Sequence, residues 1–369
     1  MIKKITVIAV VLVFCCAFTI SLSGPVIAQG QGQITVANST AKINFPLALN
    51  FSAQVSSNVN ITDIRLRYRV EQMSFAQVVS EGYVQFSPST SVNAAFSLDM
   101  LKVGGLPPGA VVDYWWLVRD ASGSSLETSP TQYQIKDNRY SWQNLSQDKI
   151  NLFWYQGNQT FSQSLMSAAQ QALVQLAQTT GATPDKVVNI YIYASAQDLQ
   201  GSLIYPNEWT GGVAFTQYSI ITIGISPNNL TWGQGAMTHE LTHDVIYQVI
   251  FNPYNDLPVW LNEGLAMYSE GPLTAQFSVP LKEAINQDTL ITARSLASPF
   301  SAYTDTANLS YAESYSFVDY LTSQYGAQKM LSLLNTFKQG SDYDTALQLV
   351  YGFDMDGMFS QWKTWVKSQ

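Results

Sequence analysis

His239-Glu240-Leu241-Thr242-His243 is the stretch of sequence that decides the fold of the C-terminal half, and it contains both histidines of the chain. On an α-helix, residues four positions apart lie on one face, one turn above the other, so the two imidazoles can bind a single metal ion. Glu240 points to the same side, where it can act on a water molecule without binding the metal. The motif therefore predicts a metal-dependent hydrolytic site on a helix.

A third candidate ligand, Glu263, follows His243 by twenty residues in the run Trp260-Leu261-Asn262-Glu263-Gly264-Leu265-Ala266. A glutamate on a second helix completes a set of two imidazoles and one carboxylate, which leaves one position of a tetrahedral zinc ion open for water and substrate. The alternative is a buried pair of structural histidines. Glu240 beside the first histidine and Glu263 at this spacing favour zinc as the cofactor.

The two segments together resemble the gluzincin metallopeptidases, and the five-residue motif is the same as in thermolysin. Thermolysin-like enzymes have an alanine directly after the glutamate ligand and an aspartate four residues after it. This chain has Gly264 and Met267 at those positions. Asp244 and Asn262, which adjoin the ligands in sequence, are therefore the candidates for orienting them.

The run that begins at Trp260, a later segment Ser310–Tyr315 and a Trp-rich C-terminal helix look more like the peptidase-MA-like metallohydrolases of secreted bacterial proteins. This resemblance covers residues from about 150 to 369. It implies an α+β zinc hydrolase domain that cleaves peptide bonds in a peptide or protein substrate. In such a domain Glu240 takes a proton from the attacking water and returns it to the leaving amine.

The resemblance also implies a donor for the oxyanion that develops on the substrate carbonyl. In gluzincins this donor is a tyrosine or histidine on a later element, and the chain has no third histidine. Tyr311 is the first candidate, and Tyr315, four residues later on the same helix face, is the second. The alternative is that both tyrosines are core aromatics.

Two functions of other kinds stay open. A non-catalytic cell-surface binding protein with a vestigial zinc site would retain the ligands, but a decaying site commonly loses its base, and Glu240 is intact. A zinc hydrolase that acts on a non-peptide amide or ester would use the same residues as a peptidase.

Length and composition indicate two domains, because 369 residues exceed one ordinary domain. Charged residues make up 12% of the chain, hydrophobic residues 46%, and the net charge is −8. This acidic balance argues against nucleic acid as a partner. The sequence carries no signal for the oligomeric state.

The N-terminus has the features of a targeting segment. Lys3-Lys4 precede an apolar stretch from Ile5 to Leu22, and Val26-Ile27-Ala28 supplies small residues for signal peptidase. Residues 1–28 are thus predicted to be a signal peptide, and the protein to be secreted or extracytoplasmic. An uncleaved segment would instead tether the protein to the membrane at the cell surface. Both cysteines, Cys15 and Cys16, lie in this segment, so the mature chain would form no disulfide.

Residues 33–136 read as short strands separated by turn residues, which predicts an immunoglobulin- or fibronectin-like β-sandwich. From Ile64 to Val70, apolar residues alternate with three arginines, as in a half-buried strand. Val112–Val118 is the next strong strand. The adjacent Trp115 and Trp116 should point to opposite faces, one in the core and one exposed.

Residues 141–369 read as longer helices around a few strands and form the predicted zinc metallopeptidase-like domain. A helix is expected over Phe161–Thr179, and strands over Val187–Ala194, Gly211–Phe215 and Ser219–Ile225. The last of these precedes the zinc helix, as does the edge strand on which related peptidases bind an extended substrate. We expect this domain to fold without the N-terminal one.

Overall fold

The computed structural model describes residues 33–206, 211–254 and 256–369. The predicted signal peptide, with Cys15 and Cys16, lies outside the described residues. Seven strands come first along the chain: β1 (Thr35–Asn44), β2 (Ala48–Val70), β3 (Ser80–Tyr83), β4 (Ser89–Asp99), β5 (Val111–Asp120), β6 (Ser125–Glu127) and β7 (Thr131–Gln134). A short helix, α1 (Met100–Val103), lies between β4 and β5.

These seven strands form one antiparallel sheet in the order β1-β2-β5-β6, in which β3 and β4 also pair with β2 and β7 pairs with β5. The 23 residues of β2 join two parts of the sheet. Its first half pairs with β1 and β4, and its second half pairs with β3 and β5. The register shifts between Ser56 and Ile61, which marks the bend between the halves.

The two halves of this sheet face one another across a shared core. Phe51 in the first half of β2 lies against Tyr114 of β5, with ring centroids 4.8 Å apart. The strands are thus bonded into a single sheet that turns over on itself, and the immunoglobulin- or fibronectin-like sandwich stays a prediction.

The alternating stretch from Ile64 to Val70 lies in β2, with Leu66 fully buried and Arg65 and Arg67 both paired with Glu81. The prediction that one of the two adjacent tryptophans is exposed was wrong. Trp116 is buried in the core, and Trp115 is only 8% exposed because its Nε1 donates to Glu127 Oε1 at 2.7 Å.

A second sheet contains β8 (Gln143–Gln147), β9 (Ile150–Trp154), β10 (Val188–Tyr193), β11 (Gly212–Phe215) and β12 (Ile220–Gly224). Their order is β11-β12-β10-β9-β8, with β9, β10 and β12 parallel and the two edge strands antiparallel to their neighbours. The comparison of the Ser219–Ile225 strand with the substrate-binding edge strand was wrong. That segment forms β12, an inner strand, and the edge strand beside it is β11.

Ten helices accompany this sheet in the described part of the chain. They are α2 (Gln159–Thr180), α3 (Ala196–Gln200), α4 (Leu230–Ile250), α5 (Val259–Glu270), α6 (Ala275–Gln287), α7 (Ala293–Leu296), α8 (Thr304–Tyr325), α9 (Ala327–Lys338), α10 (Tyr343–Tyr351) and α11 (Met355–Val366). Two short 3-10 turns, Thr216–Tyr218 and Pro227–Asn229, flank β12. Over the described ranges, every helix is too short or too polar to cross a lipid bilayer.

Both faces of the second sheet are covered, and β10 shows how. Its alternate residues Val188, Ile190 and Ile192 are buried in the same core as the helices α2, α4, α5 and α8. On the opposite face, Tyr191 and Tyr193 belong to the core of the N-terminal sheet. Because side chains of a strand alternate between faces, the second sheet lies between the helices and the N-terminal unit.

A buried polar contact reinforces this interface. Asp137, which is 2% exposed, accepts hydrogen bonds from the Arg139 guanidinium and from the Tyr193 hydroxyl. The domain boundaries at residues 136 and 141 stay a prediction, but the shared apolar face argues against independent folding of residues 141–369.

We therefore expect residues 141–369, produced alone, to aggregate or to unfold at a lower temperature than the full chain. The truncation exposes Tyr191, Tyr193 and Ile220, whose burial contributes on the order of 5 kcal/mol in total. Size-exclusion chromatography and thermal unfolding check this. A soluble monomer that unfolds at the same temperature as the full chain would contradict it.

Candidate metal centre

The three predicted ligands converge between α4 and α5. His239 and His243 lie one turn apart on α4, and their Nε2 atoms are 3.4 Å and 3.5 Å from Glu263 Oε2 on α5. Each residue offers one ligand atom, and these atoms lie within 4.8 Å of one another. Ligand atoms around a tetrahedral zinc ion are roughly 3.3 Å apart, given bonds of about 2.0–2.1 Å. In the described ranges, no other group of three such side chains has this spacing.

Each histidine is held by its other ring nitrogen. Nδ1 of His239 lies 2.7 Å from Glu270 Oε1, and Nδ1 of His243 lies 3.1 Å from Asn262 Oδ1. A carboxylate and an amide oxygen both accept, so each Nδ1 donates its proton and each Nε2 is left to bind a cation beside Glu263. The donor set and its orientation thus fit zinc.

Glu270 was not found from the sequence, although a signal existed. It lies seven residues after Glu263, which is close to two helical turns, and so falls on the same face of α5.

Asn262 was one of the two candidates for orienting the ligands, and the structure places it at His243. The other, Asp244, is buried and instead accepts a hydrogen bond from Gln248 Nε2 at 2.8 Å, and its burial raises the pKa of its carboxyl to about 7.

The electrostatics of the site favour a positive charge between the two rings. Burial opposes protonation of His239, but its contacts with Glu263 and Glu270 raise its pKa to about 10. Burial likewise opposes ionisation of Glu263, and the neighbouring imidazoles of His243 and His239 nonetheless hold the pKa of its carboxyl well below its usual range. A metal ion would take the place of the protons that these carboxylates attract.

Glu240 is on α4, and its side chain lies against the edge strand β11. Burial raises the pKa of its carboxyl, and the backbone N–H of Ala214 donates to it. A β-carbon at Gly212 would lie 2.7 Å from Glu240 Oε1, so the absence of a side chain at position 212 leaves room for the carboxylate. A carboxyl with a raised pKa beside an edge strand is placed to exchange protons with a substrate bound there.

The two candidate tyrosines on α8 differ in their electrostatic surroundings. Burial raises the pKa of the Tyr311 phenol, and the carboxylates of Glu263, Glu240 and Glu270 raise it further. The phenol therefore stays protonated and able to donate a hydrogen bond.

Tyr315, one turn later on α8, has different neighbours. Its ring lies 5.6 Å from that of Tyr268, and its pKa is raised by burial and by Asp319 rather than by the carboxylates of the site. The carboxylates of the candidate centre thus raise the pKa of Tyr311 and not that of Tyr315, although the Tyr311 ring also packs near Phe300 and Phe277, with centroids 5.1 Å and 6.4 Å away.

Gly264 explains why the residue after Glu263 is smaller than in thermolysin-like enzymes. A β-carbon at this position would collide with the backbone carbonyl of Ser314 on α8. The glycine lets α5, which carries Glu263, approach α8, which carries Tyr311. Glu313 connects α8 to the segment before α7, because its fully buried carboxyl group accepts from the backbone N–H of Ile291 at 3.0 Å.

A cavity of about 330 Å³ adjoins two of the three donors, His243 and Glu263. His243 and Glu263 form one side of it, Tyr247 and Leu257 form apolar walls, and Thr216 from the turn after β11 also contributes. A larger groove of about 850 Å³ lies between β8 and α2, but glutamines dominate its lining. Of these two, the smaller cavity is the one lined by ligands of the candidate centre.

Comparison with known proteins gives one informative match. Residues 168–368 match the family model described as Peptidase MA superfamily. No curated protein matches the sequence.

Three solved structures give weak overlaps. OgpA from Akkermansia muciniphila, in complex with an O-glycopeptide substrate, is 11% identical, with 29% of this chain and 32% of that chain covered and a TM-score of 0.22. An M1 zinc metallopeptidase from Deinococcus radiodurans is 11% identical, with 90% and 92% covered and a TM-score of 0.37. A β-1,3-glucan-binding module of family 56 is 16% identical, with 27% and 98% covered and a TM-score of 0.17.

This chain thus spans about a third of the length of OgpA, and TM-scores this low do not indicate a shared fold. The family match, in contrast, covers more than half of the chain and includes His239, His243 and Glu263. The protein therefore belongs to the peptidase MA superfamily.

Proposed function

We propose that the protein is a zinc-dependent metallopeptidase of the gluzincin type that hydrolyses peptide bonds in peptides or proteins. The observation that carries this proposal is the convergence of His239, His243 and Glu263 on one point, with Glu240 beside them. Membership of the peptidase MA superfamily supports the same reaction class.

The three donors would hold the zinc ion, and Glu270 and Asn262 would keep the two imidazoles in the orientation that binds it. When bound, zinc supplies a Lewis acid that polarises the substrate carbonyl and makes water a better nucleophile near neutral pH. The protein's own groups then have two tasks, which are to move a proton and to stabilise negative charge.

Glu240 carries the proton. Its carboxylate takes a proton from the water that attacks the peptide carbonyl and gives it to the nitrogen of the leaving amine. Burial raises its pKa, which makes the carboxylate a stronger base than an exposed glutamate and an effective acid in the second half of the cycle. An intact base beside the ligands is also the argument against a vestigial site.

Tyr311 is proposed to donate a hydrogen bond to the oxyanion. The carboxylates of Glu263, Glu240 and Glu270 raise its pKa, which supports this role, and a phenol held in its protonated form can stabilise charge that develops in the transition state. Tyr315, the second candidate from the sequence, has neighbours that favour a packing role.

We further propose that the enzyme acts outside the cytoplasm, after removal of residues 1–28, and that residues 33–136 form an immunoglobulin- or fibronectin-like sandwich. The basic and apolar N-terminal residues support export. The mass of the protein recovered from its host tests this. A chain that begins at Gln29 agrees, whereas a full-length chain in the membrane fraction indicates a tether instead.

Replacing Glu240 with glutamine should lower turnover by about 10²–10⁴-fold and leave the zinc content unchanged, because the change removes the proton carrier and no ligand. Digestion of a peptide library, with zinc measured by elemental analysis, checks both effects. Glu283→Gln on the exposed face of α6 is the matched control. Near-normal turnover of Glu240→Gln would assign the proton transfer to another residue.

Replacing Tyr311 with phenylalanine should lower kcat by about 10²–10³-fold, because it removes one oxyanion donor and keeps the ring. Steady-state kinetics on a peptide found in the library measure the effect, with Tyr315→Phe as the control on the same helix. A large loss in Tyr315→Phe and none in Tyr311→Phe would reverse the assignment. Small effects in both variants would show that the oxyanion donor is not one of these two tyrosines of α8.

Replacing Glu270 with alanine should weaken zinc binding by about 10–100-fold, as is typical when the partner of a metal-binding histidine is removed. The reason is that His239 loses the acceptor that fixes its ring. Competition with a zinc chelator gives the affinity, and Glu283→Ala again serves as control. Equal affinities of Glu270→Ala and the unmodified protein would show that Glu270 does not orient the ligand.

A further inference from the structure

The loop between β2 and β3, residues 71–79, belongs to the N-terminal unit but reaches the domain that carries the candidate centre. The backbone N–H of Met73 donates to the carbonyl of Gln217 at 2.7 Å. The Phe75 ring stacks on Phe251, with centroids 4.5 Å apart and planes 8° from parallel. The loop is therefore attached at two points next to the helix that supplies both histidines.

Phe251 continues a row of side chains that starts at the metal site. His243, Tyr247 and Phe251 follow one another at intervals of four residues, so they lie along one face of α4 and the residue that follows it. The rings of Tyr247 and Phe251 have centroids 5.6 Å apart, and Tyr247 lines the cavity beside Glu263. Tyr247 in the cavity wall is thus connected through the ring of Phe251 to Phe75 of the 71–79 loop.

Stacking on Phe251 covers only part of the Phe75 side chain. Phe75 remains 60% exposed although its ring is stacked, so much of its apolar surface still faces water. An exposed aromatic surface that is connected to a cavity wall through Phe251 and Tyr247 is suited to bind another apolar side chain.

The length of α4 between His243 and Phe251 gives the distance of this aromatic surface from the metal site. Eight residues separate His243 from Phe251, which corresponds to about 12 Å at a rise of 1.5 Å per residue. An extended peptide covers about 3.3 Å per residue. A side chain on Phe75 and Phe251 would then lie about three or four residues from the scissile bond.

We propose that the 71–79 loop is part of the substrate cleft, in which Phe75 and Phe251 bind an apolar or aromatic side chain three or four residues from the bond that is cut. This inference rests on the proposed peptidase function and deepens it. It makes the N-terminal unit a contributor to specificity, although the family match begins only at residue 168.

The test compares full-length wild type with Phe75→Ala on peptides cut at the same bond. Long peptides carry phenylalanine or alanine three and four residues from that bond, and short peptides end two residues from it. The preference of the enzyme for phenylalanine in the long peptides should fall by about 2- to 12-fold in Phe75→Ala, mainly through KM. Tyr83→Ala, which truncates another exposed aromatic residue of the N-terminal unit, should leave the preference unchanged.

A binding measurement separates this inference from the proposed function. Fluorescence anisotropy of the same peptides is recorded with Glu240→Gln and with the Glu240→Gln, Phe75→Ala double variant. Weaker binding of the long phenylalanine peptides by the double variant supports the subsite, whether or not the wild type cleaves them. Equal binding by both proteins, or an equal loss for long and short peptides, overturns it. Wild type that cleaves peptides while Phe75→Ala shows the same preference overturns the subsite alone.

Discussion

The packing of α5 between α4 and α8 is the interaction on which the candidate centre depends. Two of the three donors are on α4 and the third is on α5. The three donors can therefore meet only while these two helices stay packed in this relative position. Trp260, Leu261 and Leu265 are at most 1% exposed, and burial of each such side chain contributes about 1.5–3 kcal/mol. Gly264 allows the close approach of α5 to α8. This apolar packing offsets the cost of burying several carboxylates around two imidazoles.

The same packing explains what the sequence could predict about the site. The spacing of His239 and His243 is a local property of one helix, and their convergence with Glu263 followed from a known pattern. Glu270 was not predicted from the sequence because the expectation came from thermolysin-like enzymes, in which the orienting acid stands four residues after the glutamate ligand. Here the acid follows by seven residues, which preserves the helix face while adding one turn. Tyr311 was ranked before Tyr315 from the sequence, but the difference in their surroundings depends on tertiary contacts, because both tyrosines occupy one face of α8.

The positions of the strands and helices along the chain could be predicted from the sequence. Their arrangement in space was less predictable. The strands and the long helices lie near their expected positions, because periodicity is local information. The location of β11 at the edge and the burial of Trp115 depend on which segments come together. Tyr191 and Tyr193 are the clearest example. They alternate with Ile190 and Ile192 on a strand buried on both faces, and only the structure shows that the second face packs on the N-terminal unit.

Metal analysis tests the central claim most directly. The full chain, purified without added metal, should contain one zinc ion, and His243→Ala should contain little or none, because the variant loses one of three ligands. Glu283→Ala serves as the unaffected control. Absence of metal from the wild-type protein, or full zinc occupancy in His243→Ala, would contradict the account.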